Sequence, residues 1–454
     1  MELGEKQQWA DKKRIILCAD GTWTASNRGN STVPSNVAKL ARAIATTGLE
    51  SQDPVTERET VVKQIVFYQS GLGSGDFPIE RALSGGFGWG LEDDVCQIYD
   101  FISNNYEQGD ELFFFGFSRG AFTVRSVAGL VSDVGVLSAD QMSSFAGLWE
   151  AYRDNTSGGP FSETEWYKKH GAELKTENVP IKVVGVWDTV GALGIPEWSI
   201  VKFAERMGLP INKKYQFHNT RLSKNIAYAF QALALDEPRL VFPPAIWFET
   251  ADGGPSEKLC QCWFPGVHGN IGGTAREPIG DNAFAWMAGF PIFPAFAQWT
   301  DLNLVDGYER MTGANTNWGC WKINDEGGLL SFFGKTHRTP GEYEDTTRDE
   351  NSEPQETMET FETFHPMVRH RKANDNKWRP GSLEGFVEDQ ASRNPRRWRK
   401  DNAREICVDD VMFGNDKKMV VAHVQRTSVT FGKREKLSRE LCPVQILGQL
   451  ESTR

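Results

Sequence analysis

Gly116-Phe117-Ser118-Arg119-Gly120 fits the pattern G-x-S-x-G. A serine hydroxyl between two glycines can serve as a nucleophile when it sits on a sharp strand-to-helix turn, because a side chain on either neighbour would clash there. The pattern alone recurs by chance in long chains, so its surroundings decide. Upstream, Leu112-Phe113-Phe114-Phe115 is an unbroken apolar run that predicts the entering strand. Downstream, Ala121 to Leu130 has the spacing of the leaving helix. Ser118 then projects above the carboxyl edge of a sheet, at a helix N-terminus that favours negative charge. The Arg119 backbone N–H is one natural oxyanion donor. The competing reading is a plain glycine-rich turn.

A nucleophilic serine needs a base and an acid that orients the base, in the chain order Ser, Asp or Glu, His for an α/β-hydrolase. The next buried run, Ile181-Lys182-Val183-Val184-Gly185-Val186-Trp187, delivers Asp188 to the same sheet edge. The run Cys260 to Pro265 then leads into Gly266-Val267-His268-Gly269, a loop able to carry an imidazole to the serine. Ser118, Asp188 and His268 are therefore the expected catalytic set. For Asp188 the rival reading is a helix cap, and for His268 a loop histidine bonded to backbone. His218 precedes a helical run, whereas His337, His365 and His370 lie in polar C-terminal sequence with no buried strand ahead of them. Asp236, Asp252 and Asp281 end no clear strand and are weaker choices for the acid.

The first strand ends in Asp20-Gly21-Thr22-Trp23 at the same edge, so the Gly21 or Thr22 amide is the expected second oxyanion donor. Asp20 is read either as a substrate contact or as a turn former bonding its neighbours. Gly71-Leu72-Gly73-Ser74-Gly75 follows the second strand and lacks the Gly-Lys-Ser/Thr of a P-loop. Gly71 and Gly73 can let backbone approach a substrate, or simply form a turn.

These residues need a scaffold. Arg14–Ala19, Gln64–Gln69, Glu111–Gly116, Ile181–Trp187 and Cys260–Pro265 are short β-rich runs ending in polar or turn-prone clusters. Segments of helical spacing separate them: Asn36–Ala45, Gly90–Asn104, Ala121–Leu130 and Lys224–Ala234. The alternation predicts an α/β fold, a mostly parallel sheet with helices on both faces and a C-terminal extension. Residues 1–300 are expected to form the catalytic domain and 301–454 an extension packed on it, with a mobile acidic loop over Tyr343–Glu362. Asn282–Thr300, interrupted by Pro291 and Pro294, reads as core helix followed by a broken segment, with the wall of an acyl pocket as the functional alternative.

Composition limits the function classes. The net charge of -11 argues against a nucleic-acid binder, which needs clustered Lys and Arg. The charged start, MELGEKQQWADKKR, lacks the apolar core of a secretory signal, so a cytoplasmic location is expected. No run reads as a transmembrane segment. Seven cysteines are scattered, and the nearest pair, Cys260 and Cys262, reads as buried thiols rather than zinc ligands. No metal or other cofactor is called for.

Six motifs in order carry a family resemblance: Asp20-Gly21-Thr22-Trp23, Gly71-Leu72-Gly73, Gly116-Phe117-Ser118-Arg119-Gly120-Ala121, Trp187-Asp188-Thr189-Val190-Gly191, Ala234-Leu235-Asp236-Glu237-Pro238-Arg239 and Pro265-Gly266-Val267-His268. Together they resemble the domain family of the type VI secretion phospholipase effectors and their fungal relatives, over roughly residues 13–300. Arg338-Thr339-Pro340-Gly341 and His365-Pro366 resemble later motifs of the fungal members. The resemblance implies an α/β-hydrolase with a Ser-Asp-His triad on Ser118, Asp188 and His268. It also implies phospholipase-type cleavage of an ester or lipid substrate. Weak membrane-surface contact, through exposed Trp and Phe, is a separate expectation. A hydrolase of a thioester, amide or small-molecule ester is the alternative enzyme, and a catalytically silent binding scaffold the non-enzymatic one.

Overall fold

The computed structural model describes residues 7–21, 33–52, 58–71, 91–155, 161–171, 179–190, 221–240, 242–250, 258–275, 278–288, 319–323, 334–344, 358–389 and most of 397–408. Thr22, Gly73 and most of the acidic segment 343–362 fall outside them, as does the junction expected at residue 300.

The long apolar runs become central strands because a parallel strand buried on both faces must be apolar along its whole length. β4 (Glu111–Phe117) is buried throughout. Parallel neighbours are β1 (Gln7–Ala19) on one side and β5 (Ile181–Trp187) on the other. Beyond β1 lies β3 (Glu59–Gln69), also parallel, with β2 (Thr47–Gln52) antiparallel at the edge. Beyond β5 come β6 (Ile226–Ala234) and β8 (Leu259–Phe264), both parallel. β7 (Glu249–Thr250) and β9 (Met358–Glu359) form a separate small ladder.

The sheet does not stop there. β10 (Glu362–Phe364) pairs parallel with β8, and β13 (Ile406–Val408) parallel with β10. β12 (Arg397–Arg399) and β11 (Val387–Asp389) close the edge in antiparallel fashion. All are strands of one eleven-stranded sheet. The strands between Glu362 and Val408 are thus built into the same sheet as β4.

Alternation along the strands divides the core into two layers. Ile15, Leu17, Leu112 and Phe114 face the helices α2 (Leu91–Asn105), α3 (Ser118–Val134) and α4 (Phe145–Asp154). Ile16, Cys18, Phe113 and Phe115 face α1 (Asn36–Ala43), and that layer also holds residues of α7 (Ile279–Ala288). Between them in the chain come α5 (Glu165–His170) and the short α6 (His268–Ile271). Cys260 and Cys262 both join the second layer as thiols among apolar neighbours. Among the described residues no single helix is long and apolar enough to cross a membrane.

One expected element is of the wrong type. Lys224–Ala234 has helical spacing, yet Ile226–Ala234 is a strand hydrogen-bonded to β5 on one side and β8 on the other. Alanine is a good helix former in isolation, but two strand neighbours and full burial of Ala229, Ala232, Leu233 and Ala234 override that preference. Asp236 consequently follows a buried strand after all. His365 likewise follows one, the three-residue β10, contrary to expectation.

The order of strands reverses beside β1: the chain passes to β3 on one side and to β4 on the other. Such a reversal leaves a crevice at the carboxyl ends of the two strands. The last residues of β1 and β4 lead there into Asp20-Gly21 and Ser118. Gly120 sets how closely the two approach, because a Cβ on it would run into the Ala19 carbonyl and lie 2.5 Å from the Asp20 oxygen. Both obstacles are backbone atoms at or just beyond the end of a central strand and cannot move cheaply. Gly120→Ala is therefore expected to lose about 2 kcal/mol or more in urea denaturation, and an unchanged unfolding midpoint would contradict this close approach.

Candidate active site

Ser118 enters the crevice through an unusual backbone turn. Phe117 is still extended, with φ -127° and ψ 139°, and Ser118, the first residue of α3, has φ 57°. A side chain in this left-handed region costs about 1 kcal/mol or more. Gly116 lets the helix fold back on the strand, since a Cβ there would lie 2.5 Å from the Ala121 Cα. The result is a hydroxyl held above the sheet rather than packed into it.

His268 starts α6, directly after the loop Pro265-Gly266-Val267 that leaves β8. Its Nε2 lies 2.8 Å from the Ser118 Oγ, and its Nδ1 2.6 Å from an oxygen of Asp188. All three residues are buried, Asp188 completely. An ionised carboxylate can only accept hydrogen bonds, so Nδ1 carries the imidazole proton and donates it to Asp188. Nε2 is then the acceptor for the serine hydroxyl. The structure thus brings together the three residues that the sequence singled out. The Phe117 and Phe242 rings lie against the imidazole, with centroids at 4.7 and 4.8 Å.

Asp188 also sits at positive φ, 44°, as it leaves β5. It is not a helix cap. One of its oxygens accepts the Ala234 N–H at the end of β6 at 2.9 Å. Both oxygens are held by Arg338, through Nη1 at 2.5 Å and Nη2 at 2.9 Å. Burial alone would push the Asp188 carboxyl up, but Arg338 and His268 outweigh it and hold the group well below the usual carboxylate range. Glu237 supports the histidine from its backbone, accepting the His268 N–H at 3.0 Å. Arg239 clasps Glu237 with its Nε at 2.6 Å and Nη2 at 2.8 Å. Glu237 is buried too, and Arg239, Arg338 and His268 together overcome that burial to keep its carboxyl below the ordinary value.

Glu237, Arg338 and Phe242 were not foreseen as site residues. Glu237 and Arg338 do lie in motifs noted for their resemblance, which was the only signal available. The rivals have other work. Asp236 accepts from Gly266 N–H and Trp378 Nε1, and burial pushes its carboxyl up to about 6 against those bonds. Asp281 pairs with Lys39 at 2.9 Å. His365 is fully buried, stacks on Phe264 and caps the helix Pro366–Asn374. His337 and His370 are outside the crevice contacts described, and Asp252 and His218 lie outside the described residues.

At the end of β1, the Asp20 carboxylate accepts from Ser35 Oγ at 2.6 Å, Tyr68 OH at 2.7 Å and the Gly21 N–H at 2.8 Å. It ties β1 to β3 and to the cap of α1. The Gly21 amide, expected at the oxyanion, is turned to Asp20 in this structure, although a Cβ on Gly21 would lie only 3.1 Å from the Ser118 Cβ. The Arg119 amide belongs to the first turn of α3, where N–H groups have no carbonyl four residues earlier in the helix. Gly71 is buried just beyond β3. Burial pushes the Asp94 carboxyl up to about 7, with Arg119 pulling the other way.

Among the described residues no group of three His, Cys, Asp or Glu side chains could hold a metal ion. The arrangement can pass a proton from Ser118 Oγ to His268 Nε2 while Asp188 holds the imidazole from the other side.

Residues 13–289 match the family described as T6SS, phospholipase effector Tle1-like, catalytic domain. An uncharacterized protein of Saccharomyces cerevisiae is 30% identical over 201 residues, which are 40% of this chain and 27% of the yeast protein. A crystal structure of an uncharacterized Pseudomonas aeruginosa protein is 18% identical with a TM-score of 0.34, over 61% of this chain and 45% of that one. The structure of the Tle1 effector bound to the VgrG spike from the type VI secretion system is 19% identical with a TM-score of 0.32, over 59% and 51%. The chain therefore spans between 27% and 51% of the length of these relatives.

Two outcomes follow from the geometry. Ser118→Gly and Ser118→Ala both remove the hydroxyl, but only alanine keeps a Cβ at positive φ. The glycine variant is expected to be the more stable by about 1 kcal/mol, and equal denaturation midpoints would show that the turn is unstrained. For Asp94 the sign runs opposite to that of a paired carboxylate: its folded form favours the proton, so its contribution is present at low pH and is lost as pH rises through about 7. Asp94→Asn should therefore raise the melting temperature at about pH 8.5 and by progressively less as pH falls towards about 4. A gain confined to acid pH would reverse that assignment.

Proposed function

The chain belongs to the Tle1-like phospholipase effector family through residues 13–289, and from that premise we propose that it is a serine ester hydrolase of lipase or phospholipase type. The observation that carries this reading is the continuous hydrogen-bonded line Ser118 Oγ, His268 Nε2, His268 Nδ1 and Asp188 at a sheet's carboxyl edge.

In the first half-reaction Ser118 Oγ attacks the acyl carbonyl carbon while its proton moves to His268 Nε2. The Asp188 carboxylate keeps the Nδ1 proton in place and stabilises the imidazolium electrostatically. The carbonyl oxygen, now negative, is met by the Arg119 amide and by a second amide from the Gly21-Thr22 corner. If Gly21 is that donor, its N–H must exchange the Asp20 carboxylate for the oxyanion. Collapse of the tetrahedral adduct expels the alcohol, which takes the proton from His268, and leaves an acyl ester on Ser118. Water then repeats the sequence with His268 as base, releasing the carboxylic acid and restoring the serine hydroxyl.

Phospholipid is the favoured substrate class because the family is one of phospholipase effectors. A panel of phospholipid and p-nitrophenyl ester substrates tests the reading. Wild-type protein is expected to release fatty acid from phospholipid micelles, and Ser118→Ala and His268→Asn to lose about a thousand-fold or more in kcat. Turnover confined to soluble acyl esters or thioesters would replace lipid with a small-molecule substrate. Equal turnover by wild type and Ser118→Ala would refute the mechanism. A fluorophosphonate probe that fails to label the folded wild-type protein would leave a non-catalytic binding scaffold.

A further inference from the structure

The family match ends at residue 289, yet the acid of the site is completed from residue 338. The segment that carries Arg338 is fastened to the motif that holds His268. Lys335 forms an antiparallel bridge with Arg239, the Thr336 N–H donates to the Pro238 carbonyl at 2.8 Å, and the Leu240 N–H to the Gly334 carbonyl at 3.2 Å. Further along, the Gly341 N–H donates to Glu362 on β10 at 3.0 Å, and Tyr343 stacks on Trp263 of β8. Between these anchors the Arg338 side chain turns inward and is 3% exposed.

Four donors reach the Asp188 carboxylate: Ala234 N–H and Arg338 Nη1 on one oxygen, His268 Nδ1 and Arg338 Nη2 on the other. A carboxylate offers about four lone-pair sites. With all of them taken it can neither rotate nor turn an oxygen away from the imidazole. Arg338 is fixed in turn by the carbonyls of Ala234 at 2.9 Å and Phe242 at 3.0 Å. A guanidinium beside Asp188 also acts through charge, since a proton arriving on His268 brings a second cation to a carboxylate that already has one.

The other charged groups around the imidazole are held in pairs, with Glu237 also acting on Arg338 and His268. Glu237 bonds the His268 backbone and is clasped by Arg239, whose guanidinium lies 4.2 Å from the Phe242 ring centre. Lys39 of α1 and Asp281 of α7 pair with each other. Arg119 and Asp94 act on each other beyond Ser118. Arg338 is therefore the cation most directly coupled to the line from Asp188 to Ser118.

We propose that Arg338 is a positioning residue for the proton relay, locking the Asp188 carboxylate and through it the imidazole of His268, so that the catalytic domain is incomplete without residues 334–344. The proposal rests on the serine hydrolase reading above.

The experiment uses the full chain as wild type, Arg338→Gln, Arg338→Lys and Ser118→Ala. Folding is followed by thermal denaturation, the labelling rate by a fluorophosphonate probe across pH, and kcat and KM on a p-nitrophenyl ester. Arg338→Gln removes the charge, so imidazolium forms more readily. The acid limb of its labelling profile should move up by about one pH unit, slowing it about ten-fold on that limb. Arg338→Lys keeps the charge but not the two-pronged grip. Its acid limb should stay in place while kcat falls and KM does not change. A role confined to stability would lower the melting temperature without moving the limb.

If Arg338→Gln folds and labels with the wild-type rate and profile, the proposal is overturned. If that variant does not fold, Arg338→Lys decides: wild-type kcat overturns the proposal, and reduced kcat with an unmoved limb and KM supports it. Wild-type labelling that vanishes in Ser118→Ala, with both Arg338 variants unaffected, defeats only the role of Arg338. No labelling of wild type defeats the hydrolase reading and this inference together.

Discussion

A negative charge with no access to water organises this site. Asp188 is fully buried, and an isolated carboxylate there would take up a proton rather than stay ionised. It remains a carboxylate because the end of β6, the loop after β8 and the segment around residue 338 each send a donor to it. Those are three stretches far apart in sequence, and the geometry needed to satisfy one carboxylate fixes their relative positions. The imidazole inherits its orientation from that arrangement, and the serine hydroxyl lies where the imidazole points. Removal of any one donor leaves the others facing an undercompensated charge, which makes the ensemble cooperative rather than a sum of contacts.

The sheet supplies the rigidity. Its central strands are buried on both faces, so β4 and β5 cannot shift register without moving whole rows of Phe and Val into the wrong layer. Ser118 and Asp188 both take positive φ at the moment they leave these strands. Local strain of that kind persists only where the surroundings leave no alternative, and both residues sit at the end of a strand paired on each side.

How much of this could be read from the chain differs by residue. Ser118, Asp188 and His268 were legible because each directly follows, or lies a few residues beyond, an apolar run long enough to identify a buried strand. The parallel α/β class was legible for the same reason. β6 was not, since its alternating alanines suit a helix until two neighbouring strands claim its hydrogen bonds. β10 escaped notice because Glu362-Thr363-Phe364 has no strand signature. Glu362 is buried there by contacts with Trp263, Thr360 and the Gly341 amide, all of them distant or local details invisible to periodicity. Arg338 stands 150 residues from Asp188 in the chain, and no spacing rule connects them.

The connection between β8 and β10 spans nearly a hundred residues of sequence and returns to lie beside the strand it left. On a ribosome, the serine, the aspartate and the histidine all leave the exit tunnel well before Arg338 and β10 are made. A nascent chain therefore presents β8 as an open edge and Asp188 without its guanidinium until Arg338 and β10 have been added. The architecture delays completion of this site until the chain has grown past Phe364.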